Sequence, residues 1–147
     1  MSTEVVIIDD LIEQRSLVEE SWLEACKERW IRSQKAGCDQ GEKAIREWVK
    51  EHWRGFLRAR WIQHMQGDCF WLELKRDSFG LLKRREFVNA GKLLDEIIEQ
   101  LRCGEENLDI LRKARKTKTP AEQATILEIL LLIDVNANRL RCSFCDD

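Results

Sequence analysis

Apolar residues recur along most of this chain at steps of three and four, which is the spacing that places them on one face of an α-helix. Stretches of this kind predict five helices, at about residues 11–35, 40–66, 85–102, 107–116 and 120–141. With one proline and seven glycines among 147 residues, few helix breakers interrupt them. We therefore expect a mainly α fold, a compact array of about five helices in one domain spanning residues 1–147. Residues 1–9 would form a tail or short strand and residues 142–147 a C-terminal tail.

Capping residues mark three of the predicted helix starts. An acid or threonine precedes a glutamate by three residues, as in a capping box, in the pairs Asp10–Glu13, Asp39–Glu42 and Thr119–Glu122. The first helix carries one apolar stripe, which we expect to face the core: Leu11, Val18, Trp22, Cys26 and Trp30. The last helix has two apolar faces, one of them containing Leu127 and Leu131, and is expected to lie at the centre of the core.

A stretch near residues 69–87 departs from the helical pattern. Cys69–Lys75 is aromatic and partly alternating, Asp77–Gly80 is turn-like, and Leu81–Phe87 would return as a second strand. These features predict a minor β-hairpin, with Glu4–Ile8 as a third strand. The alternative is an extended loop followed by an early start of the next helix.

Charge is sorted along the chain, although the formal net charge is only −2. Residues 1–30 carry three basic and eight acidic side chains, whereas residues 31–66 carry eight basic and four acidic ones. The acids of the predicted first helix (Glu13, Glu20, Glu24 and Glu28) form an outward stripe, and the basic residues of the second form another. Such a dipolar surface would self-associate or bind a complementary protein, or would only keep the protein soluble.

The basic stripe of the second helix has two interpretations. Its members recur at three- and four-residue steps beside two tryptophans, and together they are Lys43, Arg46, Lys50, Arg54, Arg58, Trp53 and Trp61. Cations for phosphates and aromatic faces for unstacked bases are what a nucleic-acid site requires. The alternative is a solvated helix face whose cations pair with neighbouring glutamates.

A second concentration of positive charge comes just before the last helix, at Arg112, Lys113, Arg115, Lys116 and Lys118. Together with free amides at the helix start after Thr119, this run would bind phosphate. Basic residues in the last turn of a short helix also interact favourably with the helix dipole, which is a sufficient structural reason for them.

Six cysteines at irregular spacing indicate reduced thiols or metal ligands. Cys142 and Cys145 have the spacing of zinc ligands, but no second spaced pair completes a site, so zinc is only an alternative and no other cofactor is expected. Of the two histidines, His52 lies in the apolar sector of its helix and is expected to be a hydrogen-bonded core residue. No catalytic spacing is present, and the chain is predicted not to be an enzyme.

The first ten residues contain acids where a signal peptide needs basic residues, and the longest wholly apolar run, Ile129–Ile133, is too short to cross a bilayer. We therefore expect a cytoplasmic protein without membrane contact. The predicted function is a non-enzymatic protein-interaction module, an adaptor or regulatory subunit that uses its charged, Trp-rich helix faces on a protein partner or on a second copy. A nucleic-acid-binding accessory protein is the first alternative and a small zinc-binding protein the second.

Overall fold

Helices account for most of the part of the chain that a computed structural model describes, residues 13–134 and 140–144. They are α1 (Leu17–Ala36), α2 (Gly41–Gln66), α3 (Arg85–Val88), α4 (Lys92–Arg102), α5 (Asn107–Thr117) and α6 (Pro120–Ile133). The predicted mainly α class is confirmed. There is one helix more than expected because Gly91, with φ of 53°, interrupts the predicted helix 85–102. Among the described residues, every helix is too short or too polar to cross a lipid bilayer.

Helix α2 organises the packing. Helix α1 lies along it, α4 packs against both α2 and α6, and α5 packs against α6. The largest buried side chains include Trp61 on α2, Trp71 and Phe87, and they belong to one continuous apolar core. Helix α6 lies at the edge of this core, because its second apolar face is exposed, with Leu131 71% accessible. The expectation that it is the central helix was therefore wrong.

The β structure is a two-stranded parallel pair and not a hairpin. Strand β1 (Gln14–Arg15) pairs with β2 (Phe70–Trp71), with Gln14 opposite Phe70. The predicted return strand at 81–87 instead forms a 3₁₀ turn at Leu81–Lys83 followed by α3. The expectation of a minor β element held, but its partner strand comes from the N-terminal side of the chain. The stretch proposed as a third strand, residues 4–8, lies outside the described residues.

Strand β1 displaces the start of the first helix to Leu17, six residues after the predicted Leu11. The N-cap is Ser16 and not Asp10, which lies outside the described residues. A carboxylate distant in sequence completes the cap, since Glu73 accepts hydrogen bonds from the Leu17 amide and the Ser16 hydroxyl, both at 2.6 Å. Capping by Glu73 ties the beginning of α1 to the segment that follows β2.

Of the other two predicted capping boxes, one forms. Thr119 accepts a hydrogen bond from the Glu122 amide at 3.2 Å, and the Glu122 carboxylate accepts one from the Thr119 amide at 3.0 Å. The hydrogen bonds of its carboxylate to Thr119 lower the pKa of Glu122. At the start of α2, Asp39 instead accepts from the Gly41 amide at 2.9 Å, and the expected box is not made. Helix α6 ends at Ile133, earlier than the predicted Arg141.

A buried histidine near the end of α2 holds the segment after that helix. His64 Nδ1 accepts a hydrogen bond from the Trp71 amide at 3.1 Å, and its Nε2 donates to the Lys75 carbonyl at 2.8 Å. Its ring lies 5.0 Å from the ring of Phe70. Burial lowers the pKa of His64, so the ring is neutral. The predicted core histidine, His52, is exposed on α2, and that expectation was wrong.

Candidate functional site

The largest exposed apolar surface of α1 is the stripe that was expected to face the core. Its described members are exposed Val18, Trp22 and Trp30 and half-buried Cys26, whereas Leu11 lies outside the described residues. Together with the neighbouring exposed Leu23, these four residues are called the α1 outer face below. Trp22 is 43% exposed and Trp30 is 64% exposed. The core expectation for this stripe was wrong, and the stripe is instead open to solvent.

Packing explains why α1 buries a different face from the one that the sequence predicted. Helix α1 buries Leu17, Ser21 and Ala25, and the two small side chains allow its backbone to approach α2 closely. Bulky tryptophans at the same positions would hold the two helices apart. The helix pair is therefore fixed by its smallest residues and not by its most apolar ones.

Ion pairs reinforce the α1–α2 contact and reduce the charge sorting seen in the sequence. Arg32 of α1 pairs with Glu28 on its own helix at 2.7 Å and with Glu47 and Glu51 of α2. The hydrogen bond to Glu28 is the main cause of the raised pKa of Arg32. Arg32 is a basic residue on the acidic helix α1, and Glu47 and Glu51 are acidic residues on the basic helix α2. The acidic and basic stripes are therefore less separate in the structure than in the sequence.

Each end of the α1 outer face has a distinct boundary. At one end the ring of Phe144 meets Trp22 edge-on, with centroids 5.1 Å apart. At the other end Trp30 borders a groove of about 540 Å³. There Arg29 donates to both carboxylate oxygens of Asp39, at 2.9 and 2.7 Å, and this pairing lowers the pKa of Asp39 to about 2. The free thiol of Cys38 lines the same groove.

The predicted basic stripe on α2 is partly neutralised by neighbouring acids. Lys43 lies 4.0 Å from Glu47, and Arg46 lies 3.1 Å from Glu42. Lys50 is also exposed. These contacts match the alternative of a solvated helix face, in which exposed pairs contribute little to stability.

The two tryptophans expected to flank that stripe are buried. Trp53 donates its Nε1–H to the Leu140 carbonyl at 2.8 Å, and Trp61 is 2% exposed. Neither presents an open ring face on which a base could stack. The exposed tryptophans are those of α1, which the sequence had assigned to the core.

The basic run of α5 is more open. Lys113 pairs with Glu105 at 2.8 Å, and Lys118 pairs with Glu96 at 2.7 Å, a contact that raises the pKa of Lys118. The other three cations of the run are exposed and have no ion pair within residues 13–134 and 140–144: Arg112, Arg115 and Lys116.

Of the proposed zinc ligands, Cys142 is buried and Cys145 lies outside the described residues. In the described part of the chain, no three His, Cys, Asp or Glu side chains are grouped as metal ligands would be. The zinc alternative therefore stays a prediction.

Four of the predicted binding residues converge on one cavity of about 670 Å³, where α2 passes the turn between α4 and α5: Trp53, Arg54, Arg58 and Trp61. Sequence reasoning missed the rest of its wall, which includes Arg102, Glu106 and Leu140. Each of these residues lies at least 40 positions beyond the α2 residues that line the cavity. A glycine in the middle of a helix, Gly55, was the one local signal of an open space there.

Arg58 builds the polar wall of this cavity. Its side chain is only 14% exposed, and Nη1 donates to the carbonyls of Glu105 at 2.7 Å and Leu101 at 3.4 Å, at the end of α4. Its Nη2 contacts the Glu106 carboxylate at 3.2 Å. Arg54 reaches the same carboxylate at 3.5 Å from the exposed rim. Arg58 is therefore a structural residue that joins α2 to the α4–α5 turn.

The fold and these surfaces define a small, mainly α protein with an exposed tryptophan-bearing helix face and an arginine-lined cavity. Comparison with family models, curated proteins and solved structures gives no match for the chain. Its function must therefore be inferred from its own side chains.

Proposed function

We propose that this protein is a non-enzymatic protein-interaction module that binds a partner protein through the α1 outer face. The observation that carries the proposal is the exposure of Trp22 and Trp30 on one side of a single helix. Tryptophan is among the residues most enriched at the energetic centres of protein interfaces, because it brings a large apolar area with few rotatable bonds. A contiguous exposed apolar patch on a soluble domain commonly marks such a contact.

The spacing of the patch favours a helical partner. Val18, Trp22, Cys26 and Trp30 follow one another at four-residue steps, so they form a ridge that extends roughly 18 Å along α1 and is inclined to the helix axis. An amphipathic helix lying beside this ridge would place its own apolar stripe between the two tryptophans. The groove next to Trp30 offers space for one more apolar side chain of that partner.

The test is affinity capture with the full chain carrying Trp30→Glu, compared with the unmodified protein. The matched control is Leu108→Glu on α5, because Leu108 is also 64% exposed but lies outside the α1 outer face. We expect a partner that binds the unmodified protein and the Leu108 variant, and that is lost or weakened more than tenfold with the Trp30 variant. The purified partner should then show the same order of affinities.

Light scattering of the same three proteins identifies self-association. A mass that is a multiple of 17.4 kDa and returns to one chain in the Trp30 variant would make the partner a second copy. If the Trp30 and Leu108 variants bind the same proteins with the same affinities and have the same mass, the proposal is wrong.

Nucleic-acid binding by the open cations of α5 remains the alternative prediction. Arg112, Arg115 and Lys116 support it, whereas the burial of Trp53 and Trp61 removes its stacking component. This alternative predicts binding that weakens steeply with salt and with Arg112→Gln and Arg115→Gln. The zinc alternative predicts about one zinc per chain after purification, lost on Cys142→Ser.

A further inference from the structure

We infer that the cavity between α2 and the α4–α5 turn binds a small organic anion with an apolar, ring-containing body. This site is separate from the α1 outer face, and the inference does not rest on the proposed protein partner. The cavity, at about 670 Å³, is within the range of sites that enclose metabolite-sized ligands.

The charge of the wall selects an anion. Three arginines line the cavity, Arg54, Arg58 and Arg102, and Glu106 brings a negative charge that Arg58 contacts at 3.2 Å. Arg54 and Arg102 lie at the exposed rim, where their ion pairs within the protein are long, at 3.5 Å to Glu106 and 3.9 Å to Glu99. Guanidinium groups in this position recognise carboxylate, sulfonate or phosphate groups.

The interior selects an apolar body. Trp53, Leu57 and Trp61 line the inner wall. The indole Nε1 of Trp61 is buried and has no hydrogen-bond partner among the described residues. A buried donor without a partner is costly, so an acceptor atom that came within reach of this nitrogen would be favoured.

Gly55 keeps the cavity open. It lies in the interior of α2, where glycine weakens a helix, yet a Cβ built at this position meets no atom within 4 Å. Packing does not demand the absence of a side chain there. The glycine instead leaves free a space that most other residues would fill.

The test uses 2-naphthoate, titrated into the full chain by calorimetry, with the tryptophan indole N–H resonances followed by NMR. Two control compounds separate the contributions: 2-naphthalenemethanol has the ring without the charge, and inorganic phosphate has charge without the ring. We expect 2-naphthoate to bind at least tenfold more tightly than either control. The Trp61 indole resonance should shift while those of Trp22 and Trp30 stay in place.

Variants locate the binding. Gly55→Leu should weaken binding at least tenfold by filling the space, and Arg54→Gln with Arg102→Gln should weaken 2-naphthoate but leave 2-naphthalenemethanol unchanged. Arg46→Gln, on the same helix outside the cavity, should have no effect on either. Circular dichroism verifies that each variant is folded, and the arginine variants decide the matter if Gly55→Leu is not. Equal binding of the ring compounds by all variants, a shift confined to Trp22 and Trp30, or no binding at all would overturn the inference.

Discussion

Replacing His64 tests whether one buried ring holds the segment after α2. The ring accepts a hydrogen bond from the Trp71 amide and donates one to the Lys75 carbonyl. In His64→Leu both groups lose their partner. The amide of fully buried Trp71 cannot be reached by water, which costs about 1–3 kcal/mol, whereas the carbonyl of exposed Lys75 can be partly hydrated and costs about 1 kcal/mol. We expect a total loss of about 2–4 kcal/mol.

His64→Asn separates the two hydrogen bonds. Asparagine has nearly the shape of leucine but presents an amide oxygen close to the position of Nδ1, so it can still accept from the Trp71 amide. We expect it to be about 1–2 kcal/mol more stable than His64→Leu. The assay is urea unfolding followed by circular dichroism, with the slope of the transition verified to be unchanged. His52→Asn, at the exposed histidine of the same helix, should change stability by less than about 0.5 kcal/mol.

The pH dependence follows from the lowered pKa of His64. In the unfolded chain the ring takes up a proton near pH 6.5, whereas burial in the folded state keeps it neutral to lower pH. Stability is therefore complete above about pH 6.5 and falls as the pH decreases from there towards the folded pKa, by at most ~1.4 kcal/mol per pH unit. In His64→Asn the part of the stability loss that comes from His64 should be absent between pH 7.5 and 5.5. If the Leu and Asn variants are equally stable, or the pH dependence is unchanged in His64→Asn, the role given to His64 is refuted.

Three further predictions concern helix interiors and caps. Gly55→Ala should raise the free energy of unfolding by about 0.5–1 kcal/mol, because the position is helical and unobstructed; a loss of stability in urea unfolding would contradict this. Thr119→Ala should cost about 1 kcal/mol by removing the N-cap of α6, and thermal unfolding that is unchanged would argue against the cap. Ser16→Ala should cost a similar amount and lose part of this effect in a Glu73→Ala background, because the Ser16 hydroxyl donates to Glu73 at 2.6 Å and also accepts from the Glu19 amide at 3.3 Å; fully additive losses in the double-mutant cycle would show that Ser16 and Glu73 act independently.

Local hydrogen bonding explains which helix boundaries were predictable. The Thr119 cap and the glycine at the end of each long helix, Gly37 and Gly67, close backbone hydrogen bonds to residues no more than a few positions away. Such bonds form in the same way wherever the helix lies in the fold. For the same reason the sequence predicted the mainly α class and located α5 to within a residue.

The candidate sites were less predictable because they depend on distant contacts. The basic residues Arg54 and Arg58 were found from their spacing, but their roles depend on Glu106 and on the end of α4. Two segments with the same tryptophan spacing show most directly how far the sequence alone can predict burial. Trp22 and Trp30 repeat the spacing of Trp53 and Trp61, yet the first pair is exposed and the second buried.

The sequence by itself determined the helical composition, several helix ends and the charge of each helix, since these depend on neighbours along the chain. The tertiary structure decided which face of α1 was buried, which histidine entered the core, and which strand paired with β2. Each of these is a competition between alternatives with similar local propensity. On α1 the small residues Ser21 and Ala25 are buried instead of the tryptophans, because close packing of two helices depends on the shapes of both helix surfaces. The sequence of α1 alone does not contain the shape of the α2 surface.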